Sequence, residues 1–440
     1  MTLMRDCEGL HRRDILKVGA AGVLGLSLAD VMRLEANQPA NNRPRQRARG
    51  VILVWLGGGP STIDMWDLKP DAPTTIRGDF RPIDTRAPGI QICEHLPRVA
   101  SVMDKGAIVR SLAHTIPDHG RATNWMMTGN KPTPAVQYPS LGSLAARVLS
   151  PEPGVPPYVT FGRQGAGNAG YLGAAYNPFE VEGNPGAGQR GGVGGQLRVR
   201  GVSLPNGFSV DDLENRNRLR AEIDEEFRSL DTSDAAAGLD RFQQQALDIL
   251  RDNRTQRAFE LDREPQALRT RYGADNFGQA ALIARRLIEA GVRFVTITLG
   301  GWDTHGQNFT ALRTRLLPQV DRTLGALVDD LAEKRLLQNT IVYCAGEFNR
   351  TPVINRNAGR DHWARSMAVF LAGGGIRAGY AHGTTDSRGM APANEPCTPD
   401  DVAATIFHCL GIDGYHELMT ASGRPMNLFR EGRVISRLVA

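Results

Sequence analysis

Lysine is nearly missing from this chain: 47 of its 52 basic residues are arginine and five are lysine. Cysteine is scarce as well. Cys7, Cys93, Cys344, Cys397 and Cys409 are the only five in 440 residues, and none forms a C-x-x-C pair. That excludes zinc fingers and thioredoxin-like redox chemistry. Cys344 falls inside an apolar run and reads as core. No run after the first 30 residues approaches the ~20 apolar residues a membrane helix needs, so no integral span is expected in the mature chain. Gly191-Gly192-Val193-Gly194-Gly195 has the spacing of neither a phosphate loop nor a dinucleotide fingerprint. Excess charge is lacking too. The net charge is +5, but residues 1–49 hold nine basic and five acidic residues, so the remainder carries only +1. Nucleic acid is therefore not an expected partner.

The start of the chain accounts for that charge. His11-Arg12-Arg13-Asp14-Ile15-Leu16-Lys17 opens with an arginine pair, and a mildly apolar run of twelve residues follows at 18–29. That run is too short to span a bilayer. A charged segment before such a run is a secretory signal, and the arginine pair makes it the twin-arginine kind. Export to the periplasm or cell envelope is the expectation, with residues 1–49 as signal and linker.

Residues 50–440 read as one α/β domain. Continuous apolar runs at 51–56, 107–112, 158–161, 293–299, 340–345 and 367–372 have the character of strands buried on both faces. Helical spacing marks 277–288, 309–331 and 400–410. Strand alternating with helix predicts a three-layer αβα fold around a mostly parallel sheet. Residues 162–207 are rich in Gly, Pro and Asn, and 209–262 are charged with sparse apolar positions. Together, 162–262 predicts a Gly/Pro-rich and helical insertion.

Sites in open α/β sheets form outside the carboxyl ends of the strands. The segments there are rich in carboxylates and imidazoles. Ser61 and Asp64 follow the first strand, and His114, Asp118 and His119 follow the second. Gly301-Trp302-Asp303-Thr304-His305 follows the strand at 293–299. Glu347-Phe348-Asn349-Arg350 follows the strand at 340–345. Gly359-Arg360-Asp361-His362-Trp363 precedes the strand at 367–372. Mixed Asp, Glu and His sets suit zinc, manganese, magnesium or calcium. The candidate ligands are Asp303, His305, Glu347, Asp361 and His362, with Asp64 either a ligand or a cap. Arg350 and Arg360 suit an anion, since a guanidinium can clamp one in bidentate fashion. Gly57-Gly58-Gly59-Pro60-Ser61 either presents backbone N–H groups to an anion or only turns the chain.

Gly57-Gly58-Gly59-Pro60-Ser61, Gly301-Trp302-Asp303-Thr304-His305, Glu347-Phe348-Asn349-Arg350-Thr351-Pro352 and Gly359-Arg360-Asp361-His362-Trp363, with the twin-arginine leader, resemble an exported, uncharacterised family, domain of unknown function 1501. That family is related to the alkaline phosphatase and sulfatase superfamily. The resemblance implies an alkaline phosphatase-like fold with a metal site at the strand ends. Glu347-Phe348 resembles the superfamily's Asp-His metal pair with the imidazole replaced. His362 resembles its late histidine ligand. Met126-Met127-Thr128-Gly129 resembles the segment after the sulfatase nucleophile, whose own place is held here by His119.

The expected function is a metal-dependent hydrolase of a phosphate, sulfate or related anionic ester, acting through metal-activated water. Asp303, His305, Glu347, Asp361, His362 and Asp64 would hold the metal. His119 would act as nucleophile, as base on water, or as a ligand, with Arg350 beside it. Ser61, Arg360 and His114 would bind a small anionic or glycan substrate. The alternative is a non-catalytic protein of the same fold that holds an anionic glycan or a protein partner.

Overall fold

A computed structural model describes residues 44–150, 152–162, 168–182, 198–199, 253–420 and 423–440. The twin-arginine segment and most of the expected insertion, 183–197 and 200–252 included, lie outside the described residues. Apart from Pro44, the described residues belong to one compact unit, Arg45–Ala440.

The first thirteen strands in chain order are β1 (Gly50–Gly57), β2 (Pro82–Asp84), β3 (Gln91–Cys93), β4 (Gly106–Leu112), β5 (Tyr158–Phe161), β6 (Phe179–Glu182), β7 (Arg198–Val199), β8 (Phe294–Gly300), β9 (Thr340–Ala345), β10 (Asn349–Arg350), β11 (His362–Trp363), β12 (Met367–Ala372) and β13 (Tyr380–His382). Nine of them form one sheet in the order β13-β4-β12-β9-β1-β8-β5-β6-β7. β1 is central and pairs in parallel with both β8 and β9. Only β12 and β7 run against the others, so the sheet is mixed and mostly parallel.

The main helices are α1 (His119–Thr128), α2 (Leu141–Val148), α3 (Asn276–Ala290), α4 (Leu317–Glu333) and α5 (Pro399–Cys409). Alternation along β1 shows how they sandwich the sheet. Ile52, Val54 and Leu56 join one core with Phe277, Ile283 and Leu287 of α3 and Leu324 and Leu327 of α4. Val51, Leu53 and Trp55 join the other with Leu141 and Leu144 of α2 and Val402 and Ile406 of α5. Successive side chains of a strand point to opposite faces, and helices cover both. That is why β1 is apolar throughout instead of alternating. Each such side chain, fully buried, contributes roughly 1.5–3 kcal/mol.

Two details depart from the expectation. The helix expected at 309–331 is interrupted by a π turn at Leu312–Leu316, which keeps both of those leucines buried. The sheet also reaches into the expected insertion, because β6 pairs in parallel with β5. Among the described residues, no helix is long and apolar enough to cross a membrane.

Candidate metal centre

Four strands, β1, β4, β8 and β9, end at one edge of the sheet, and the reversed strand β12 begins there. Their loops bring His119, Asp303, His305, Glu347, Asp361 and His362 together. Gly58 adopts φ +115°, and a Cβ there would lie 2.6 Å from the Asp303 nitrogen. Glycine at 58 thus lets the loop after β1 touch the loop after β8. At Gly359 a Cβ would lie 2.1 Å from the His305 carbonyl oxygen, so the loop carrying Asp361 packs directly on the loop carrying His305. Asn355 Nδ2 ties the same two loops by donating to the His305 carbonyl at 3.0 Å.

Each imidazole is held at Nδ1. His119 sits in the first turn of α1, where Asp118 caps the helix by accepting from the Arg121 N–H. Its Nδ1 donates to Glu347 Oε1 at 2.7 Å. His305 Nδ1 donates to Asp361 Oδ1 at 2.7 Å. His362 Nδ1 donates to the Pro117 carbonyl at 2.9 Å. In the neutral ring the other nitrogen, Nε2, then presents a lone pair. The three Nε2 atoms lie 3.4, 3.1 and 3.3 Å from Asp303 Oδ1. His119 Nε2 is buried and has no hydrogen-bond partner. Phe348 floors the group, its ring centroid 4.9 Å from that of His119 and 4.6 Å from that of His362.

The donor chemistry fits a divalent ion. One ligand atom each from His119, Asp303 and His362 fall within 4.8 Å of one another, and these residues could hold a metal. A tetrahedral zinc site with bonds of about 2.0–2.2 Å has ligand-to-ligand edges of roughly 3.3–3.6 Å. The approaches of His119 and His362 to Asp303, at 3.4 and 3.3 Å, are of that size. His305 stands beside the group, its Nε2 3.0 Å from His362 Nε2.

Burial pushes the Asp303 carboxyl up, but the hydrogen bond and charge of Arg350 outweigh it. On balance the carboxyl falls to about 2. Asp361 is held below the usual carboxylate range chiefly by its hydrogen bond from His305. Burial lowers His114, only partly offset by its bond to the Glu347 carbonyl.

Several expected roles need correction. Arg360 is fully buried and does not face a substrate. It grips both oxygens of Asp64 at 2.8 Å and donates to the Ile76 carbonyl. Asp64 also accepts from Ser61 Oγ at 2.6 Å and Asn308 Nδ2 at 2.9 Å. Asp64 is therefore an ion-pair partner rather than a metal ligand, and Ser61 is spent on it. Arg350 is likewise buried. It donates to Asp303 Oδ1 at 2.5 Å and to the carbonyls of Gly58 and Gly59. His114 points inward, donating to the Glu347 carbonyl at 2.8 Å and accepting from the Ile116 N–H. Glu347 and Asp361 orient imidazoles, and the group with ligand geometry takes in His119 instead. The Gly58 N–H serves Glu347 Oε1 at 2.9 Å, while those of Thr62 and Ile63 serve Asn349 Oδ1. The loop after β1 thus braces the site rather than cradling an anion. The roles of Phe348, Asn308 and the Pro117 carbonyl were not legible in the sequence, since neither an apolar ring, an isolated Asn nor a backbone carbonyl signals a site.

The family described as "Protein of unknown function (DUF1501)" matches residues 48–439. The chain belongs to the DUF1501 family. No curated protein matches it. Among solved structures it is similar to the PsFucS1 sulfatase from Pseudoalteromonas sp., at 13% identity and a TM-score of 0.37 over 93% of this chain and 74% of that one. It is also similar to a protein in the alkaline phosphatase superfamily from Vibrio parahaemolyticus, at 11% identity and TM-score 0.35 over 84% and 68%. A third is Ps i-CgsB, crystallised in complex with k-i-k-neocarrahexaose, at 12% identity and TM-score 0.36 over 83% and 72%. Likenesses this distant carry no activity to the DUF1501 chain.

Proposed function

We propose that this DUF1501 protein is an exported, metal-dependent hydrolase of a phosphate, sulfate or related anionic ester. The observation that carries the reading is the crowding of three Nε2 atoms around Asp303 Oδ1, each on a ring whose Nδ1 is already engaged. A carboxylate or carbonyl behind each ligating histidine is the usual support of a metal centre. His119, Asp303 and His362 would hold the ion, with His305 at its side. A donor set this rich in imidazole favours zinc over manganese, calcium and magnesium, which prefer oxygen. When bound, such an ion supplies Lewis-acid polarisation of an ester oxygen and of water.

The protein's own groups fit attack by water rather than by a side chain. The hydroxyls near the site are engaged: Ser61 with Asp64, Thr304 with Asn308, and Thr351 with the Val353 carbonyl. Arg350 holds Asp303 in place from the buried side. The side chains of Asp303 and His305 are 49% and 46% exposed, which leaves the mouth of the site open to a substrate.

A non-catalytic binding protein is the second reading. It is favoured by the burial of Arg350 and Arg360, the two cations expected to hold an anion. Turnover of aryl phosphates and aryl sulfates by purified protein, metal-stripped and then loaded with zinc or manganese, separates the two. Metal-dependent release of phenol supports the hydrolase, and inertness with metal bound supports the binding protein. Export is tested by changing both Arg12 and Arg13 to Lys, which should retain the protein in the cytoplasm.

A further inference from the structure

Glu347 stands at the end of β9, in the place where the sequence suggested a metal ligand. It is 2% exposed. Its Oε1 already accepts from the Gly58 N–H at 2.9 Å and from His119 Nδ1 at 2.7 Å. Its Oε2 is buried without a partner. The converging ligand atoms belong to His119, Asp303 and His362, and Glu347 is not among them.

We propose that Glu347 is a positioning residue, which fixes the His119 ring with its proton on Nδ1 and Nε2 bare toward Asp303 and His362. The inference rests on the metal reading above. A free imidazole divides between two tautomers, and an acceptor at Nδ1 selects the one with Nε2 available and makes that nitrogen the better donor to a metal. A buried carboxylate with one unpaired oxygen is costly unless positive charge lies close. The buried Arg350 guanidinium supplies part of it, and a cation on the far side of the His119 ring would add to it, so Glu347 and the ion stabilise one another.

His114 completes the device. Its Nε2–H anchors the Glu347 main-chain carbonyl at 2.8 Å, and its Nδ1 accepts from the Ile116 N–H at 3.2 Å. Its ring packs on Trp125 of α1, centroids 5.5 Å apart. The loop from His114 to His119 therefore closes on Glu347 twice, main chain at one end and side chain at the other. His114 sets where the Glu347 backbone lies, and Glu347 sets which way His119 faces.

The test is the affinity of the full-length protein for zinc and for cobalt, by competition with a chelator, with the visible spectrum of the cobalt form as second readout. Glu347→Gln keeps the shape and loses the charge, while Glu347→Ala removes the acceptor. His114→Phe keeps the ring and loses the donor. Removing such a partner typically weakens a metal site about 10- to 100-fold. Glu347→Ala should fall near the upper figure and Glu347→Gln near the lower, with His114→Phe weaker than wild type by about tenfold or less. Metal-free Glu347→Gln should melt no lower than metal-free wild type, because the amide removes a buried charge, whereas a purely structural role would lower it. Unchanged affinity in both Glu347 variants overturns the inference and leaves the metal reading standing. Loss beyond about a thousandfold in Glu347→Gln, with an altered cobalt spectrum, overturns it by making Glu347 a ligand. Wild type that takes up no metal overturns the metal reading and this inference with it.

Discussion

The Nε2 atoms of His305 and His362 face each other at 3.0 Å, while the Nδ1 of each is taken by Asp361 and by the Pro117 carbonyl. Two bare lone pairs at that distance repel, and a proton or a cation between them removes the repulsion. With Asp303 Oδ1 within 3.4 Å of all three Nε2 atoms, the pair marks the focus of the site.

That focus is held from below by Asp64 and Arg360, both essentially buried and joined by two hydrogen bonds of 2.8 Å. Removing one member of a buried pair strands the other, at a cost of about 3–5 kcal/mol. Asp64→Ala and Arg360→Ala should each lower the urea midpoint accordingly, and added salt should not mimic the loss, because buried pairs are poorly screened. A change below about 1 kcal/mol in either variant contradicts this role.

Asp400, bonded to Trp125 of α1, gives the stability a pH dependence. Burial raises its carboxyl to about 6, only partly opposed by the Trp125 indole N–H. A carboxyl raised on folding lends stability that is full below its unfolded value and is lost as pH rises through the folded one. The window runs from about pH 4 to about pH 6, and the ionised group costs about 3 kcal/mol at neutral pH. Asp400→Asn keeps an acceptor for Trp125 without the charge. Urea unfolding should find the variant close to wild type near pH 4 and more stable by up to about 3 kcal/mol at pH 7. A difference that stays constant across the window contradicts the assignment.

The described cysteines should be chemically silent. Cys93, Cys344, Cys397 and Cys409 are free and buried. Burial pushes the Cys93 and Cys397 thiols up to about 12 and Cys409 to about 11, and raises Cys344 as well. The thiolate is the reactive form. In a Cys7→Ser variant, a thiol reagent at pH 8 should label none of the four in the native state and all four in guanidinium. Rapid labelling of the native protein contradicts their burial.

The frame was legible because each core strand is buried on both faces and so reads as an unbroken apolar run. β1, β4, β8, β9 and β12 begin and end within one residue of their apolar runs. β6 was not legible, because Phe-Glu-Val-Glu beside a glycine-rich stretch has the alternation of a half-exposed strand. The edge rule named the loops that carry the site. It could not assign roles, because roles depend on partners hundreds of residues away. Arg360 reads as an anion clamp until Asp64, 296 residues earlier, is seen to fill its fork. His119 reads as a nucleophile, a base or a ligand, and the Glu347 carboxylate behind its ring, 228 residues later, is a partner that the sequence alone does not show.

Metal content is the most direct measurement of the central claim. Purified, folded protein is stripped with a chelator, dialysed against zinc or manganese, and analysed for bound metal alongside Asp303→Asn and His362→Ala. The geometry predicts about one tightly held ion per chain in wild type. Both variants should lose it; the metal-free melting temperature of His362→Ala should stay close to that of metal-free wild type, while Asp303→Asn, which takes the carboxylate away from buried Arg350, should melt lower. Wild-type protein that retains no more metal than the two variants would contradict the account.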